Sequence, residues 1–138
     1  MFLPATLLFA FLSSALFPIA SSAPLDAKAA AVHTGDGTFF TPGLGACGKT
    51  NTEKDAIVAV GHGIFDSFPG ATANPNTNPI CGKKIKATLG KKSVVVTVAD
   101  RCAGFAGAAD LDFTQSAFSK LAAPSVGRIH GVKWTFVR

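Results

Sequence analysis

The sequence predicts one small all-β domain, either a barrel or a sandwich, preceded by an N-terminal leader. From His33 onward, short apolar and β-branched runs alternate with glycine, proline and asparagine, a texture typical of such folds. The chain has 138 residues, which fits a single domain. Hydrophobic residues make up 48% of it and charged residues 15%, the reverse of the balance found in disordered chains.

The first 22 residues are expected to be a secretory signal peptide. Residues 2–20 are almost wholly apolar, and a run of small residues follows them. Cleavage after Ser22 satisfies the small-x-small pattern, whereas cleavage after Ala23 would place a proline directly after the cut. A membrane anchor is the alternative, but the stretch is barely long enough to span a bilayer, and prolines near both ends shorten it. We therefore expect a secreted, extracellular protein without membrane anchoring.

The rest of the chain divides into a short flexible lead-in, residues 23–32, and a folded domain, residues 33–138. All charged residues lie beyond the predicted cut, so the net charge of +5 belongs to the mature protein. Such a charge favours acidic polymers, which include pectins, acidic glycans, membranes and nucleic acids. Secretion argues against nucleic acid. We expect a monomer that uses no cofactor and no metal.

The chain has three cysteines, Cys47, Cys81 and Cys102. An oxidising compartment favours a disulfide, and an odd number leaves one thiol free or paired between chains. Their spacing fits no zinc motif.

Local patterns predict five strands and one helix. The strands are expected at residues 38–41, 57–60, 83–89, 93–98 and 131–137, with a turn at 89–92 and a long loop at 74–79. Asp112 and Gln115 form a capping box, which predicts a helix from about Phe113 to about Ala122 that ends before Pro124. A turn is expected at 61–63.

Several segments, in a fixed order, carry a family resemblance. They are Gly35-Asp36-Gly37-Thr38-Phe39-Phe40, Gly45-Ala46-Cys47-Gly48, Ile80-Cys81-Gly82, Val96-Thr97-Val98-Ala99-Asp100-Arg101-Cys102, Asp110-Leu111-Asp112 and Ala117-Phe118. Together they resemble the double-psi β-barrel superfamily of expansin N-terminal domains, barwin-like proteins, rare-lipoprotein-A domains and family 45 endoglucanases, and above all small fungal loosenin-like proteins. The resemblance implies a six-stranded double-psi β-barrel with one or two short helices.

The resemblance also implies a shallow polar site formed by Thr38, Asp100 and Asp110. Asp110 matches the proton donor of family 45 hydrolases. Asp100 follows a very apolar strand, where partial burial would raise its pKa and let it donate a proton or a hydrogen bond to a sugar. The alternative for Asp100 is a structural role, paired with Arg101 or bonded to the barrel backbone. Asp112 is expected to be a helix cap.

The pattern resembles the non-hydrolytic branch of this superfamily. Hydrolysis usually needs a second carboxylate, and the first strand offers Thr38 where a hydrolase carries its base, with Asp36 as the nearest acid. We therefore expect a protein that binds and loosens cell-wall polysaccharide (cellulose, chitin or acidic glycan) without cleaving it. Phe39 and Phe40 are candidate sugar platforms, as are Phe65 and Phe105, although each fits a core position equally well. Trp134 is expected in the core.

The cysteine pairing and a possible role for His62 follow from the same resemblance, and a cluster of lysines is visible in the sequence itself. Expansin-like relatives pair the cysteines that match Cys47 and Cys81, which leaves Cys102 free. His62 lies in the region of a functional histidine of rare-lipoprotein-A domains, but the local match is poor. Several lysines cluster on one predicted hairpin, either as a solvated surface or as an acidic-glycan contact. They are Lys83, Lys84, Lys86, Lys91 and Lys92.

Two other functional classes stay open. One is a family-45-like or lytic-transglycosylase-like enzyme that cleaves glycan. The other is a barwin-like binding module, effector or protease inhibitor. The fold alone does not decide among them.

Overall fold

The computed structural model describes residues 30–138 of the chain. The predicted signal peptide and most of the predicted lead-in lie outside these residues. No helix in the described part is long and apolar enough to cross a bilayer.

Six strands close into a barrel. Their bounds are β1 (His33–Phe40), β2 (Ile57–Gly61), β3 (Lys84–Leu89), β4 (Lys92–Cys102), β5 (Leu111–Thr114) and β6 (Ile129–Val137). Around the barrel the order is β1-β5-β2-β4-β3-β6, with the last strand paired to the first. Two of the pairs, β1 with β5 and β2 with β4, are parallel, and the others are antiparallel. The predicted six-stranded double-psi barrel is confirmed.

Alternation along the strands builds the core. In β3 the buried residues Ile85 and Ala87 alternate with exposed lysines. In β6 the buried residues Val132 and Trp134 lie on either side of the exposed Lys133. β2 is buried along its whole length because it lies between two other strands and under the loops that cover them. Trp134 is only 1% exposed and its Nε1 donates to the backbone oxygen of Ala109, so its predicted core position is confirmed.

The β3–β4 hairpin has the predicted turn. Leu89 pairs with Lys92, which leaves Gly90 and Lys91 as a two-residue connection. Gly90 has a φ of +59°, a left-handed conformation that suits glycine and matches the twist of a tight hairpin.

The helix predicted from Phe113 to Ala122 is wrong at both ends. Residues 111–114 form strand β5, and the helix α2 (Gln115–Phe118) begins after it and ends four residues before Ala122. Thr114, and not Asp112, occupies the N-cap position, without a capping hydrogen bond from its side chain. Leu111 and Phe113 are fully buried, so the strand places both side chains in the core while pairing with β1 and β2. Burial of two large side chains outweighs a local capping signal, which is worth about 1 kcal/mol.

A second short helix, α1 (His62–Ser67), replaces the turn predicted at 61–63. It buries Phe65, which is 1% exposed, against the barrel. The predicted disulfide between Cys47 and Cys81 is present, and Cys102 is the free cysteine of the described residues.

Candidate functional site

Thr38 and Asp112 form a hydrogen-bonded pair on the outside of the barrel. They are register partners in the parallel β1–β5 pair, and Oγ1 of Thr38 lies 2.7 Å from Oδ1 of Asp112. Asp112 points outward because its neighbours in β5, Leu111 and Phe113, both point into the core. The pair therefore follows directly from the two-residue period of β5.

Asp100 lies on the same outer surface, two strands from Asp112. Ala59 in β2 pairs with Asp112 on one side and with Asp100 on the other. Cross-strand partners share a face of a sheet, so Thr38, Asp112, Ala59 and Asp100 form one row across four strands, here called the carboxylate face. The alanine between the two acids leaves the centre of this row without a bulky side chain.

Electrostatics at the carboxylate face raise the pKa of Asp112 above its ordinary value. Burial raises the pKa of Asp112, and the negative charge of Asp100 adds to the rise. The hydrogen bond from Thr38 and the charge of Arg128 oppose it. Neither Asp112 nor Arg128 was predicted from the sequence to belong to this face. The alternation of Leu111, Asp112 and Phe113 could have indicated that Asp112 points outward from a strand.

One carboxylate oxygen of Asp100 accepts hydrogen bonds from the backbone. Its Oδ1 accepts hydrogen bonds from the amides of Ala46 and Arg101, each at 2.8 Å. The Arg101 side chain pairs with Asp66 instead, with its two nitrogens 2.7 and 2.6 Å from the carboxylate oxygens. Asp100 thus braces the loop before Cys47 while facing Asp112 across Ala59.

Asp110 occupies a different environment from Asp112. Its two oxygens accept from the backbone amides of Asp36, at 2.8 Å, and Gly107, at 3.2 Å. The fit is tight, since a Cβ built on Gly107 would lie 2.6 Å from both oxygens. The carboxylate of Asp110 therefore ties β1 to the loop that precedes β5. The structure does not bring Asp110 into the row formed by Thr38, Asp112 and Asp100.

Asp36 is held in an ion-pair cluster. Its Oδ1 lies 2.8 Å from Nδ1 of His130 and its Oδ2 lies 3.1 Å from Nη1 of Arg128. The His130 hydrogen bond, with help from Arg128, holds the pKa of Asp36 below its ordinary value. An acid engaged by two basic groups is a weak base, so the arrangement disfavours Asp36 as the second carboxylate of a hydrolase.

The candidate sugar platforms are partly or wholly used in packing. Phe39 is half-buried and packs on Phe118, with ring centroids 5.0 Å apart. Phe40 and Phe105 are half-buried, and Phe65 is fully buried and unavailable to a ligand. His62 is exposed at the start of α1 and lies close enough to Asp66 to lower the pKa of that acid.

Cys102 borders the carboxylate face. Burial raises the pKa of its thiol, and the charges of Asp112 and Asp100 act in the same direction. No group of three histidine, cysteine or acidic side chains within residues 30–138 is placed to hold a metal ion.

Two clefts lie away from the carboxylate face. One, of about 540 Å³, is bordered by the Cys47–Cys81 disulfide, Lys49 and Asn76. The other, of about 390 Å³, lies beside Asp66 and Arg101. None of the four residues of the carboxylate face lines either cleft. The row therefore lies outside both clefts, with Ala59 buried and its three polar residues half-buried.

Comparison with known proteins finds relatives of this barrel, although no family model matches the chain. The papain inhibitor of Streptomyces mobaraensis is 31% identical over 124 residues, covering 88% of this chain and 80% of that protein. The Asp f 7 allergen homologue of Arthroderma benhamiae is 36% identical over 119 residues, or 75% of this chain. This chain matches only 38% of that allergen's length.

Solved structures similar to this barrel include the same papain inhibitor and an expansin. The Streptomyces papain inhibitor superposes with a TM-score of 0.70 at 32% identity, covering 78% of this chain and 96% of the inhibitor. A Clavibacter michiganensis expansin variant in complex with cellohexaose gives 0.62 at 22% identity, covering 78% of this chain and 51% of the expansin. At that identity the expansin likeness shows a shared fold and nothing more.

Proposed function

This chain belongs to the double-psi β-barrel family of the Streptomyces papain inhibitor, and we propose that it is a secreted protein that binds and loosens cell-wall polysaccharide without hydrolysing it. The observation that carries the proposal is the row of Thr38, Asp112 and Asp100 across the outer side of four adjacent strands. The carboxyl groups of Asp112 and Asp100 accept hydrogen bonds from sugar hydroxyls.

The absence of cleavage follows from the acids around this row. A retaining or inverting glycosidase needs an acid together with a free carboxylate as base or nucleophile. Asp36 is paired with Arg128 and His130, and Oδ1 of Asp100 accepts two backbone amides. We infer that neither Asp36 nor Asp100 activates water, so that hydrogen bonding by Asp112 ends in binding and not in bond breakage.

Geometry favours Asp112 over Asp110 as the central acid. The motif-based prediction places Asp110 there, but that carboxylate is enclosed by the amides of Asp36 and Gly107. Asp112 has an outward carboxylate bonded to the Thr38 hydroxyl and a pKa raised by burial.

The test measures mechanical weakening of cellulose and chitin sheets, together with soluble sugar release, for the wild type, Asp112→Asn and Asp110→Asn. Asparagine keeps the shape and one acceptor oxygen, but it lacks the negative charge and has an amide donor in place of the second carboxylate oxygen. We expect Asp112→Asn to lose weakening with an unchanged circular dichroism spectrum, and Asp110→Asn to keep it once corrected for folded fraction. No variant should release sugar.

Two outcomes would contradict this assignment. Loss of weakening in folded Asp110→Asn with full activity in Asp112→Asn would restore the motif-based site. Steady oligosaccharide release by the wild type, abolished in either variant, would make the protein a glycosidase.

Inhibition of a cysteine protease is a second candidate function, favoured by one feature of the loop before the disulfide. Leu44 is 76% exposed and pairs with Thr50 across this loop. Gly45 donates to Lys49 at 3.0 Å, Ala46 donates to Asp100 at 2.8 Å, and the disulfide fixes Cys47. A protruding apolar side chain on a braced loop fits a protease pocket with little loss of conformational entropy.

Papain assays separate the two functions. If the loop is inhibitory, the wild type lowers papain activity and Leu44→Asp restores it, while Asp112→Asn inhibits like the wild type. Unchanged papain activity at a large excess of wild-type protein would remove this candidate.

A further inference from the structure

The side of the barrel away from the carboxylate face carries lysine and hydroxyl side chains. In strand order, β3 and β6 lie opposite β5 and β2. Lys84 and Lys86 are exposed on β3, and Lys133 is exposed on β6, each alternating with residues that point into the core. All three side chains therefore project from the same outer surface.

Strand register sets these lysines on a regular grid with hydroxyl residues. Thr88 pairs with Lys133 on one side and with Ser93 on the other, and Lys86 pairs with Thr135. Partners across strands lie about 5 Å apart, and residues two apart along a strand about 7 Å. We call this surface the lysine face, defined by Lys84, Lys86, Thr88, Ser93, Lys133 and Thr135.

No lysine of this surface forms an ion pair within residues 30–138. The ion pairs found there use Arg101, Arg128 and His130, and none uses a lysine. The β3–β4 stretch from residue 83 to 99 contains lysines but no aspartate or glutamate, and β6 contains no acid either. Neighbouring ammonium groups without partners repel one another, so an anionic ligand along the grid would relieve that repulsion.

We propose that the lysine face binds a carboxylated polysaccharide, of which polygalacturonate is the model, lying extended across the strands. Ammonium groups pair with uronate carboxylates, and the threonine and serine hydroxyls bond to sugar hydroxyls. Val95 is the one large apolar side chain of β3 and β4 that is strongly exposed, at 48%, so the surface lacks the apolar area for membrane insertion. This binding is separate from the carboxylate face and survives if the function proposed above fails.

The test is retention of the full-length mature protein on immobilised polygalacturonate at low salt. The triple variant Lys84→Gln, Lys86→Gln, Lys133→Gln removes three positive charges from the lysine face. A matched triple at Lys49, Lys54 and Lys120 removes the same charge from exposed positions elsewhere. Lys84→Arg, Lys86→Arg, Lys133→Arg keeps the charge and controls for folding.

We expect the lysine-face glutamine triple to weaken binding roughly tenfold, since each exposed charge contact is modest. The matched triple should stay within about twofold of the wild type, and the arginine triple should bind normally. Retention should also fall steeply with salt and be absent on fully methyl-esterified pectin.

Three outcomes would overturn the proposal. Equal weakening by both glutamine triples would show that only net charge matters. Equal retention on the methyl ester would exclude carboxylate recognition. Stronger retention on phosphatidylserine vesicles than on polygalacturonate would make the ligand a membrane.

Discussion

At the residue scale, two acids in one short segment have different roles because of strand geometry. Asp110 precedes β5 and turns back to bind the amides of Asp36 and Gly107. Asp112 lies within β5 and points outward to Thr38. The motif places both acids in the same region of the fold, but the start of β5 decides which one points to the outside of the barrel. The motif alone therefore does not distinguish their two environments.

The structural role of Asp110 predicts a stability loss. Asp110→Ala leaves two partly buried amides without their charged acceptor, and we expect the free energy of unfolding to fall by about 1–3 kcal/mol. Urea denaturation measures it. Asp66→Ala is the control, because it breaks only an exposed ion pair with Arg101 and should cost under about 1 kcal/mol. Equal losses in the two variants would contradict the bracing role.

The raised pKa of Asp112 predicts a specific pH dependence of stability. The folded state binds this proton more tightly than the unfolded state, so the free energy of unfolding should fall as pH rises from the ordinary value of 3.8 through the folded pKa. Asp36 and Asp66 have lowered pKa values and act in the opposite sense, losing stability as pH falls. The difference between wild type and Asp112→Asn across the pH series isolates the Asp112 contribution. A flat difference would contradict the raised pKa.

At the element scale, the strands with strong alternation were predictable and β5 was not. The alternation in β3 and the apolar run in β4 predicted the β3–β4 hairpin, including its turn at Gly90. β5 is only four residues long and is followed directly by a four-residue helix, so its two-residue period merges with helical spacing in the sequence. Its pairing with β1 and β2 comes from residues far away in the chain, which local patterns do not reveal.

The disulfide is the element-scale contact with the clearest energetic consequence. Cys47 and Cys81 are 34 residues apart, and closing a loop of that length is worth about 3–4 kcal/mol in the chain-entropy model. We expect the double variant Cys47→Ser, Cys81→Ser to lose about that much stability in chemical denaturation, because its unfolded chain is less constrained. Cys102→Ser should change stability little, since Cys102 forms no disulfide in the described chain.

At the scale of the whole molecule, one closed barrel presents two chemically opposite surfaces. The carboxylate face spans β1, β5, β2 and β4, and the lysine face spans β6, β3 and the first half of β4. The barrel architecture was predictable from the ordered motifs and the chain length. The separation of the surfaces was not, because it depends on the order in which strands pair around the barrel.

The central claim is that a neutral glycan binds at the carboxylate face, and amide chemical-shift mapping by NMR tests it most directly. On titration with cellohexaose and chitohexaose, the amides of Thr38, Ala59, Asp100 and Asp112 should shift together, and Asp112→Asn should abolish the shifts. Lysine-face amides should not move with these uncharged sugars. Shifts confined to the Leu44 loop or to the lysine face, or no shifts at millimolar glycan, would contradict the account.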